Sequence, residues 1–240
     1  MKSRLSLHDG FFLDTRKSGE RKVVNPAWKP KDGKNPLRIE IADKNDLVLV
    51  ANFFNHHFTS NNNLRKALGA TYEDMEEFSY DRAELAVKKP LSLLVFDGNK
   101  LVAASLRTYY TKDEYFEIFN GELFHKNPKF LINDDYAEDI RSKGYSLNAS
   151  RIAVLNEACI SQIGKFLPSD VENLDFGIAT GIGMKSLFSF QYKDFKENGK
   201  PEFNNIPDKC CHAMLVKPEE MLQMNEEKFN KKQLIYKSSL

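Results

Sequence analysis

The feature that most constrains the fold of this chain is a pair of short apolar runs joined by a tight turn. The runs cover Leu91–Phe96 and Leu101–Leu106, and the residues between them are Asp97-Gly98-Asn99-Lys100. Glycine and asparagine tolerate the positive φ angles of a short hairpin turn, so this segment predicts two antiparallel strands. Nearly every position in both runs is apolar. We therefore expect the hairpin to lie inside a sheet that other elements cover on both faces.

Residues before the hairpin predict one strand and two helices. Leu37–Ile41 alternates apolar and polar side chains, which is typical of a half-buried strand. Asp43 can cap a helix whose apolar positions recur at helical spacing as far as Phe58. A second helix is expected over Asp74–Lys88, and Pro90 ends it.

Residues after the hairpin predict a more mixed pattern that ends in strands. The expected elements, in order, are a helix that Asn148 or Ser150 caps and Pro168 ends, a strand over Leu174–Thr180, a helical segment over Met184–Phe190, and a strand pair formed by Gln191–Phe203 and His212–Val216. The dipeptide Asn198-Gly199 is a turn signal within that pair.

The order of these elements predicts an α/β protein of the α+β kind, with a mixed central sheet and helices on both faces. We expect a single domain over residues 36–217. Residues 1–35 are rich in Lys, Arg, Gly and Pro and are expected to form a flexible arm, while residues 218–240 form a charged tail that can be helical. A chain of 240 residues is long enough to bury a substantial core in one domain.

Composition excludes several classes of protein. Lys and Arg total 35 against 34 Asp and Glu, and a net charge of +1 gives no overall field that would favour nucleic acid or an anionic membrane. The three cysteines, Cys159, Cys210 and Cys211, are too few for a disulfide framework, which favours a reducing compartment. No apolar run has the length of a signal peptide or of a membrane span, so we expect a cytoplasmic protein.

Histidine and cysteine do not form a metal-binding pattern. His56 and His57 lie near the end of the first expected helix, where a cation would suit the negative end of the helix dipole. Adjacent positions of a helix point about 100° apart, so one ion could not easily take both rings. The run Cys210-Cys211-His212 is too compressed for a zinc site. We expect no metal cofactor.

The glycine turn Gly181-Ile182-Gly183 admits two interpretations. It follows an apolar strand and precedes an expected helix, a setting in which unpaired backbone N–H groups and the positive helix end can hold a phosphate. An ordinary strand-to-helix turn also uses glycine, because glycine allows positive φ. From the motif alone the structural interpretation is favoured over anion binding.

Several segments form an ordered pattern along the chain. They are Ala51–Phe58, Leu64–Gly69, Leu91–Ser105, Asp135–Ile140, Ser161–Pro168, Tyr192–Phe203 and Ala213–Lys217. In this order and spacing the chain resembles the invertebrate arylalkylamine N-acetyltransferase branch of the GNAT superfamily, over most of residues 37–217. The resemblance implies acetyl-CoA as co-substrate, a small-molecule amine as acceptor, and direct transfer assisted by a general base.

Two positions depart from the pattern that the resemblance implies. The family's first loop carries a glutamate as the proposed base, whereas Asn62 occupies that position and cannot accept a proton near neutral pH. If Ile178–Phe188 corresponds to the family's fifth strand and the helix after it, the hydroxyl that would reprotonate the CoA thiolate falls at Met184, and Thr180 holds the other hydroxyl position. Candidate substitutes for the base are Glu40, Tyr109, Tyr110 and an ordered water.

The CoA phosphate loop of the family can be placed in two ways. In one alignment the backbone amides of Thr180–Gly183 hold the pyrophosphate, and Ile178 replaces the Arg or Gln of the motif. In the other, which we prefer, Ile178–Phe188 corresponds to the family's fifth strand and the helix after it. The fourth strand then ends after Phe176, and a strand-helix unit of roughly 30 residues or more is missing.

The sequence thus leads to two main functional hypotheses, beside a weaker third in which the chain is an unrelated α/β binding protein whose similarity is accidental. The first is an acyl-CoA-dependent N-acyltransferase that moves an acetyl group to a small amine. The second is a catalytically impaired relative, or a truncated isoform, that keeps the scaffold as a binding module. The ordered resemblance favours the first hypothesis, whereas Asn62, Met184 and the missing unit favour the second.

Overall fold

The computed structural model describes residues 3–30, 35–110, 114, 130–162, 174–177, 185–204, 206–207 and 209–215. These residues form an α+β architecture, which confirms the predicted class at this level. The helices are α1 (Leu47–Asn61), α2 (Asn63–Ala67), α3 (Tyr72–Lys88), α4 (Ala137–Arg141) and α5 (Leu147–Ile160). The strands are β1 (Phe12–Leu13), β2 (Val23–Trp28), β3 (Leu37–Ile41), β4 (Leu93–Asp97), β5 (Lys100–Ser105), β6 (Arg107–Tyr110), β7 (Leu174–Gly177), β8 (Lys185–Gln191), β9 (Lys196–Glu197), β10 (Lys200–Pro201) and β11 (Cys210–Leu215). None of the helices in these ranges is both long enough and apolar enough to cross a membrane.

The main sheet has five strands in the order β1-β5-β4-β3-β2. At its centre lies the predicted hairpin, in which β4 and β5 pair from Leu93 opposite Ser105 to Asp97 opposite Lys100. Gly98 has a φ of +60° in the turn, a conformation that glycine adopts without steric cost. The hairpin prediction is therefore confirmed.

The strand pairs of the described residues are all antiparallel, so the mixed sheet that we expected is not found among them. A connection as short as the β4–β5 turn can join only antiparallel neighbours, because a parallel pair needs a crossover of about a dozen residues or more. The expected cover on both faces also needs correction. In β4 the buried Leu94 and Phe96 alternate with the partly buried Leu93 and Val95, so one face of the sheet is covered more completely than the other.

Helices α1 and α3 cover the buried face of the main sheet. Their apolar stripes share one hydrophobic cluster with the strands, and that cluster includes Val50, Ala51, Ala83, Leu94, Phe96 and Leu101. Helix α3 begins at a capping box, in which Thr71 and Asp74 exchange hydrogen bonds between side chain and backbone. Both predicted helices are present. Asp43, however, caps a short 3₁₀ turn just before α1 rather than α1 itself.

Part of the expected N-terminal arm joins the main sheet. Strand β1 pairs with β5, and β2 forms the opposite edge beside β3. The pairing of β2 is irregular, since its register shifts twice and it contains Pro26. Proline has no backbone N–H and is tolerated in sheets mainly at such an edge.

A buried ion network fixes this N-terminal segment. The Arg21 side chain is only 2% exposed, and its guanidinium donates to three buried carboxylates. The distances are 2.7 Å to Asp14, 2.6 Å to Asp46 and 3.1 Å to Glu40. Arg38 also pairs with Glu40, at 2.9 Å. Sequence composition could not indicate this network, because its members are brought together from separate elements.

Helix α5 and the strand pair β8–β11 enclose a second hydrophobic cluster, which includes Leu155, Cys159, Phe190, Phe195 and Ala213. Helix α5 confirms the predicted helix in this region, although its cap is Ser146 and not Asn148 or Ser150. The Ser146 hydroxyl accepts the backbone N–H of Ala149. The predicted stop at Pro168 lies outside the described residues.

Residues 185–190 form a strand where the sequence predicted a helical segment over Met184–Phe190. They belong to β8, which pairs with β11 in an antiparallel register. Phe188 and Phe190 face the second cluster and Ser189 is exposed between them, so these side chains follow the alternation of a strand. The helix prediction was therefore wrong. The first residues described after the glycine turn thus belong to a strand and not to the helix that was expected to hold a phosphate there.

The predicted turn at Asn198-Gly199 is confirmed, and it lies in the small β9–β10 hairpin. The expected pairing of Gln191–Phe203 with His212–Val216 is wrong, because β11 pairs with β8. Asn198 and Gly199 have φ angles of 52° and 77°, and both donate their backbone N–H to the Asp135 carboxylate. These hydrogen bonds, with that from Ala137, lower the pKa of Asp135. The acidic run around Asp135 therefore includes a residue that fastens a turn.

Replacement of Arg21 by methionine should destabilise the protein by at least about 3 kcal/mol. The change leaves Asp14, Glu40 and Asp46 buried with only outer cations near them, and an uncompensated buried charge is strongly destabilising. The free energy of unfolding can be measured in urea from the fluorescence of Trp28, the single tryptophan.

Arg4→Met is the matched control for this measurement. Arg4 pairs with Glu73 on the surface, where the two side chains are 59% and 69% exposed. Exposed pairs contribute about 0–1 kcal/mol, so the control should be nearly as stable as the wild type. Equal losses in the two variants would contradict the role given to Arg21.

The network also predicts how stability depends on pH. Burial alone would raise the pKa of Asp14, but the hydrogen bonds and positive charge of Arg21 outweigh it and the pKa lies below its ordinary value. Such a group stabilises the fold above its unfolded pKa, and that stabilisation is lost as the pH falls through the folded value. The wild type should therefore lose stability more steeply below about pH 4 than Asp14→Asn. Urea midpoints across acid pH would test this, and parallel curves would count against it.

Candidate functional site

The residues singled out from the sequence fall in different settings. Thr180, Gly181, Ile182, Gly183 and Met184 lie outside the described residues. Asn62 is described and caps α2: its side-chain oxygen accepts the backbone N–H groups of Leu64 and Arg65, at 3.0 and 3.1 Å. The position at which the resemblance implies a base thus holds an amide with a structural role.

The candidate substitutes for the base are also spread apart. Glu40 is 2% exposed and lies in the Arg21 network, where two guanidinium groups hold it as an ion pair. Tyr109 and Tyr110 belong to the β6 backbone, opposite Asp175 and Leu174 of β7. Nothing in the described residues brings Glu40 to an open site.

A cleft opens between the second half of α1 and the end of β5. It has a volume of about 140 Å³ and is lined by Phe53, Phe54, His57, Phe58, Ala104, Ser105 and Leu106. Residues four apart share one side of a helix, so the lining rings form two stacked or tilted pairs. Ring centroids are 4.4 Å apart for Phe53 and His57 and 4.0 Å apart for Phe54 and Phe58. The cleft therefore has an aromatic wall that contains one titratable group.

The titratable group of this cleft is the half-buried imidazole of His57. Burial, and then the neighbouring charge of His56, lower the pKa of His57 below the ordinary histidine value. The ring is therefore neutral at neutral pH, and one of its nitrogens can accept a proton. The side chains of Ser60 and Asn61, rather than the imidazoles, donate to main-chain carbonyls at this end of α1. Helix capping is thus not needed to explain His57.

Arg65 supports the aromatic wall from α2. Its side chain is 2% exposed, and its guanidinium lies 5.7 and 5.6 Å from the ring centroids of Phe54 and Phe58. It donates to the Thr59 hydroxyl at 3.1 Å, and within the described ranges no carboxylate pairs with it. Burial lowers the pKa of Arg65 to about 10, so the group remains a cation at neutral pH. The cap at Asn62 places this cation, since Asn62 begins the helix that carries it.

The cleft also lies where the chain passes from one strand ladder to another. Strand β5 pairs with β4 as far as Ser105, and β6 pairs with β7 from Arg107 onward. Leu106 lies between the two ladders and lines the cleft. Ser92 bridges this break, because its hydroxyl accepts the backbone N–H of Arg107 at 2.9 Å. The backbone of Leu106 itself belongs to neither ladder.

A larger depression of about 380 Å³ lies at the other end of α1, between Ala42–Asn45 and Val87–Pro90. Volume alone would favour it. Its carboxylate is already engaged, however, because Asp43 caps the 3₁₀ turn and pairs with Arg16 at 2.9 Å. The smaller aromatic cleft is therefore the better candidate for chemistry.

Comparison with known proteins does not identify a function for this chain. No protein-family model matches the sequence, and no curated protein shows significant similarity to it. Among the described residues, no three His, Cys, Asp or Glu side chains come together in a way that could hold a metal ion. The function is therefore inferred from the geometry of the cleft and from the ordered resemblance.

Sequence reasoning missed the two residues that give the cleft its chemistry. A signal for His57 was present, because Phe53 and His57, like Phe54 and Phe58, are four residues apart in a helix that was correctly predicted. No comparable signal marked Arg65. Its approach to the two phenylalanines depends on the chain turning back at Asn62, which is a tertiary feature.

The imidazole of His57 should titrate below the ordinary histidine value of about 6.5. Nuclear magnetic resonance of the ring protons across pH would measure the midpoint. His56→Gln should raise the pKa of His57 only partly, because burial is the larger cause of the shift and the neighbouring charge the smaller. A midpoint above the ordinary value would contradict the proposed environment.

Proposed function

We propose that this protein is an acyl-CoA-dependent N-acyltransferase that transfers an acetyl group to a small aromatic amine. The amine occupies the cleft at the end of α1, and His57 is its general base. The observation that carries the proposal is a histidine with a lowered pKa in a cleft walled by three phenylalanines.

The size and lining of the cleft suit one aromatic ring with an amino group. An apolar cavity of about 150 Å³ is known to accommodate benzene, and this cleft has about 140 Å³. Phe53, Phe54 and Phe58 offer edges and faces for ring packing. An ammonium near such faces also gains about 0.5–2 kcal/mol from cation–π attraction. These contacts favour an arylalkylamine over a purely aliphatic one.

Proton removal sets the energetic demand on the site. An alkylammonium resembles lysine, with a pKa of about 10.4, and an unperturbed imidazole has about 6.5, so complete transfer would cost about 5 kcal/mol in water. The lowered pKa of His57 widens this gap, and the buried charge of Arg65 disfavours a cation on the amine and on the imidazole alike. His57 takes the ammonium proton before the attack, which frees the nitrogen lone pair, and a base in this role accelerates such reactions about 10²–10⁴-fold.

The reaction is a direct transfer from the acyl-CoA thioester. The neutral amine attacks the thioester carbonyl, the new C–N bond forms, and the C–S bond breaks to release the CoA thiolate. The second proton that nitrogen loses on becoming an amide passes to the departing thiolate, while His57 keeps the first. The break in the sheet at Leu106 supports placing the acyl group there, because its backbone lies outside both ladders. Binding of the CoA phosphates by Thr180–Gly183 stays a prediction for residues outside the described ranges.

The element order supports a GNAT-like scaffold for this site. The described chain runs from β3 through α1 and α3 into the β4–β5 hairpin, as the ordered resemblance implies. Strand β7 lies antiparallel to β6, which agrees with a fourth strand beside the third. The free thiols of Cys159, Cys210 and Cys211 support a reducing compartment such as the cytoplasm.

Two observations favour a second candidate, an amine-binding module without turnover. Asn62 stands at the base position that the resemblance implies, and its side chain is committed to capping α2. The helix expected after the glycine turn is replaced by β8. In this second candidate the cleft and its aromatic lining remain, but acetyl-CoA has no role.

The test combines acetyl-CoA with phenethylamine and detects the N-acetylated product by mass spectrometry. Product formation is expected with the wild type. Loss of the base in His57→Gln should lower kcat/KM about 100-fold. His8→Gln is the matched control and should retain full activity, because His8 is exposed and does not line the cleft. Equal rates in the two variants would remove His57 from the mechanism.

Thermal unfolding with each ligand distinguishes the two candidates. A ligand at a hundredfold its Kd stabilises the folded state by about 2.7 kcal/mol. Stabilisation by phenethylamine without product would support the binding module and contradict the transferase. Failure of both ligands to stabilise the protein or react would overturn both candidates.

A further inference from the structure

Strand β11 presents two different faces in three consecutive residues. Side chains alternate along a strand, so Cys210 and His212 lie on one face and Cys211 on the other. Cys211 packs against the second hydrophobic cluster, where its thiol hydrogen-bonds to that of Cys159 in α5. His212 is exposed and Cys210 is half-buried. One thiol therefore faces the surface, and its neighbour in sequence faces the interior.

The outer face holds a connected group of three side chains. The Nε2 atom of His212 lies 3.2 Å from Cys210 Sγ, and its Nδ1 atom lies 2.8 Å from the Ser189 hydroxyl. We call Cys210, His212 and Ser189 the thiol–imidazole site. A neutral imidazole has one donor and one acceptor nitrogen. If Nδ1–H donates to Ser189, the Nε2 lone pair is directed to the thiol proton.

The backbone holds these groups in place. Ser189 of β8 lies directly opposite His212, and Gln191 lies opposite Cys210, in the β8–β11 ladder. The inner side of the same strand pair is fixed by Phe190, which is 4% exposed. A nucleophile, a base in contact with it and a third group that orients the base form the arrangement used for covalent catalysis. On this ladder the arrangement needs no loop to order it.

The surroundings argue against other uses of the Cys210 thiol. A redox cycle would need a second thiol on the same face, whereas Cys211 points into the core. Hydrogen bonding to Cys159 and burial both raise the pKa of Cys211, which makes it a poor nucleophile. Metal binding would need further ligands, and none of the described His, Cys, Asp or Glu residues completes a group of three.

We propose that Cys210 is a nucleophile that accepts acyl groups from acyl thioesters, with His212 as its base and Ser189 as a positioning residue. A thioester suits an open strand face because its leaving group is a thiolate, which needs little protonation to depart. An amide or ester would need a stronger acid for its leaving group. The inference does not depend on the cleft at His57.

The chemical step is an exchange between a thiol and a thioester. The Cys210 thiol gives its proton to His212 Nε2, and its sulfur attacks the thioester carbonyl. A new C–S bond forms to Cys210 as the C–S bond to the departing thiol breaks. The proton returns from His212 to that thiolate. The acyl group remains on Cys210, and no oxidant or water is consumed.

The experiment incubates the full chain with acetyl-CoA and measures the intact mass after acid quenching. A gain of one acetyl group, removable by hydroxylamine, is expected, and peptide mapping should place it on Cys210. Cys211 in the same molecule is the internal control and should stay unmodified until the protein is unfolded in urea. Acetylation of both cysteines in the folded chain would overturn the proposal. So would oxidation of Cys210 in place of acylation.

Variants test the roles of the other two residues. His212→Gln should slow acylation of Cys210 about 100-fold, the size expected for loss of a general base. Ser189→Ala should cause a smaller loss and change the pH at which the rate is half-maximal, since it alters the orientation and basicity of the imidazole. Gln191, which faces Cys210 on the neighbouring strand, is uncharged, and the nearest described charge along the chain is the exposed Lys209.

The acylation of Cys210 is tested independently of the amine transfer. It is measured on the protein and requires no amine, so failure of phenethylamine acetylation leaves it unaffected. Unfolding curves must show that each variant is folded. An unchanged acylation rate in folded His212→Gln would remove the base from the proposal, and Cys210→Ser with undiminished acetylation would remove the nucleophile.

Discussion

The fold depends first on a single buried cation. Arg21 joins three carboxylates from the N-terminal segment, from β3 and from the start of α1, and all four side chains are nearly removed from solvent. Taking these charges out of water is expensive, so the arrangement holds only while every partner is present. Asp46 immediately precedes α1, and the far half of α1 carries His57 and the phenylalanines. The network thus fixes the origin of the helix on which the cleft is built.

Local signals were enough to predict several parts of the fold. Gly98 and Asn198-Gly199 each supply the positive φ of a two-residue turn, and the Thr71 capping box starts α3 close to its predicted position. These features need information from only a few neighbouring residues. The course of β8 could not be predicted in this way. Strand β8 forms by pairing with β11, and the two strands are separated in sequence by the β9–β10 hairpin.

The candidate sites likewise depend partly on neighbouring residues and partly on contacts between residues that are far apart in the sequence. The resemblance directed attention to Asn62, where a base would stand, and the structure shows an amide that starts α2. That helix then brings Arg65 against Phe54 and Phe58, which line the cleft. Asn62 therefore acts on the cleft through the helix that it caps. Likewise, the sequence marked the run Cys210-Cys211-His212 only as too compressed for a zinc site. Its pairing with Ser189 needed knowledge of the strand register, which no local pattern contains.

The irregular outer strand β2 has a consequence for how molecules of this protein meet one another. Val24 and Trp28 are 53% and 44% exposed there, which would ordinarily invite a neighbouring chain to add a strand. Pro26 removes one N–H from that edge, and the two register shifts bend the remaining donors and acceptors out of line. A second chain therefore finds apolar side chains but no regular ladder to extend. The edge resists sheet-to-sheet aggregation through its backbone rather than through charge.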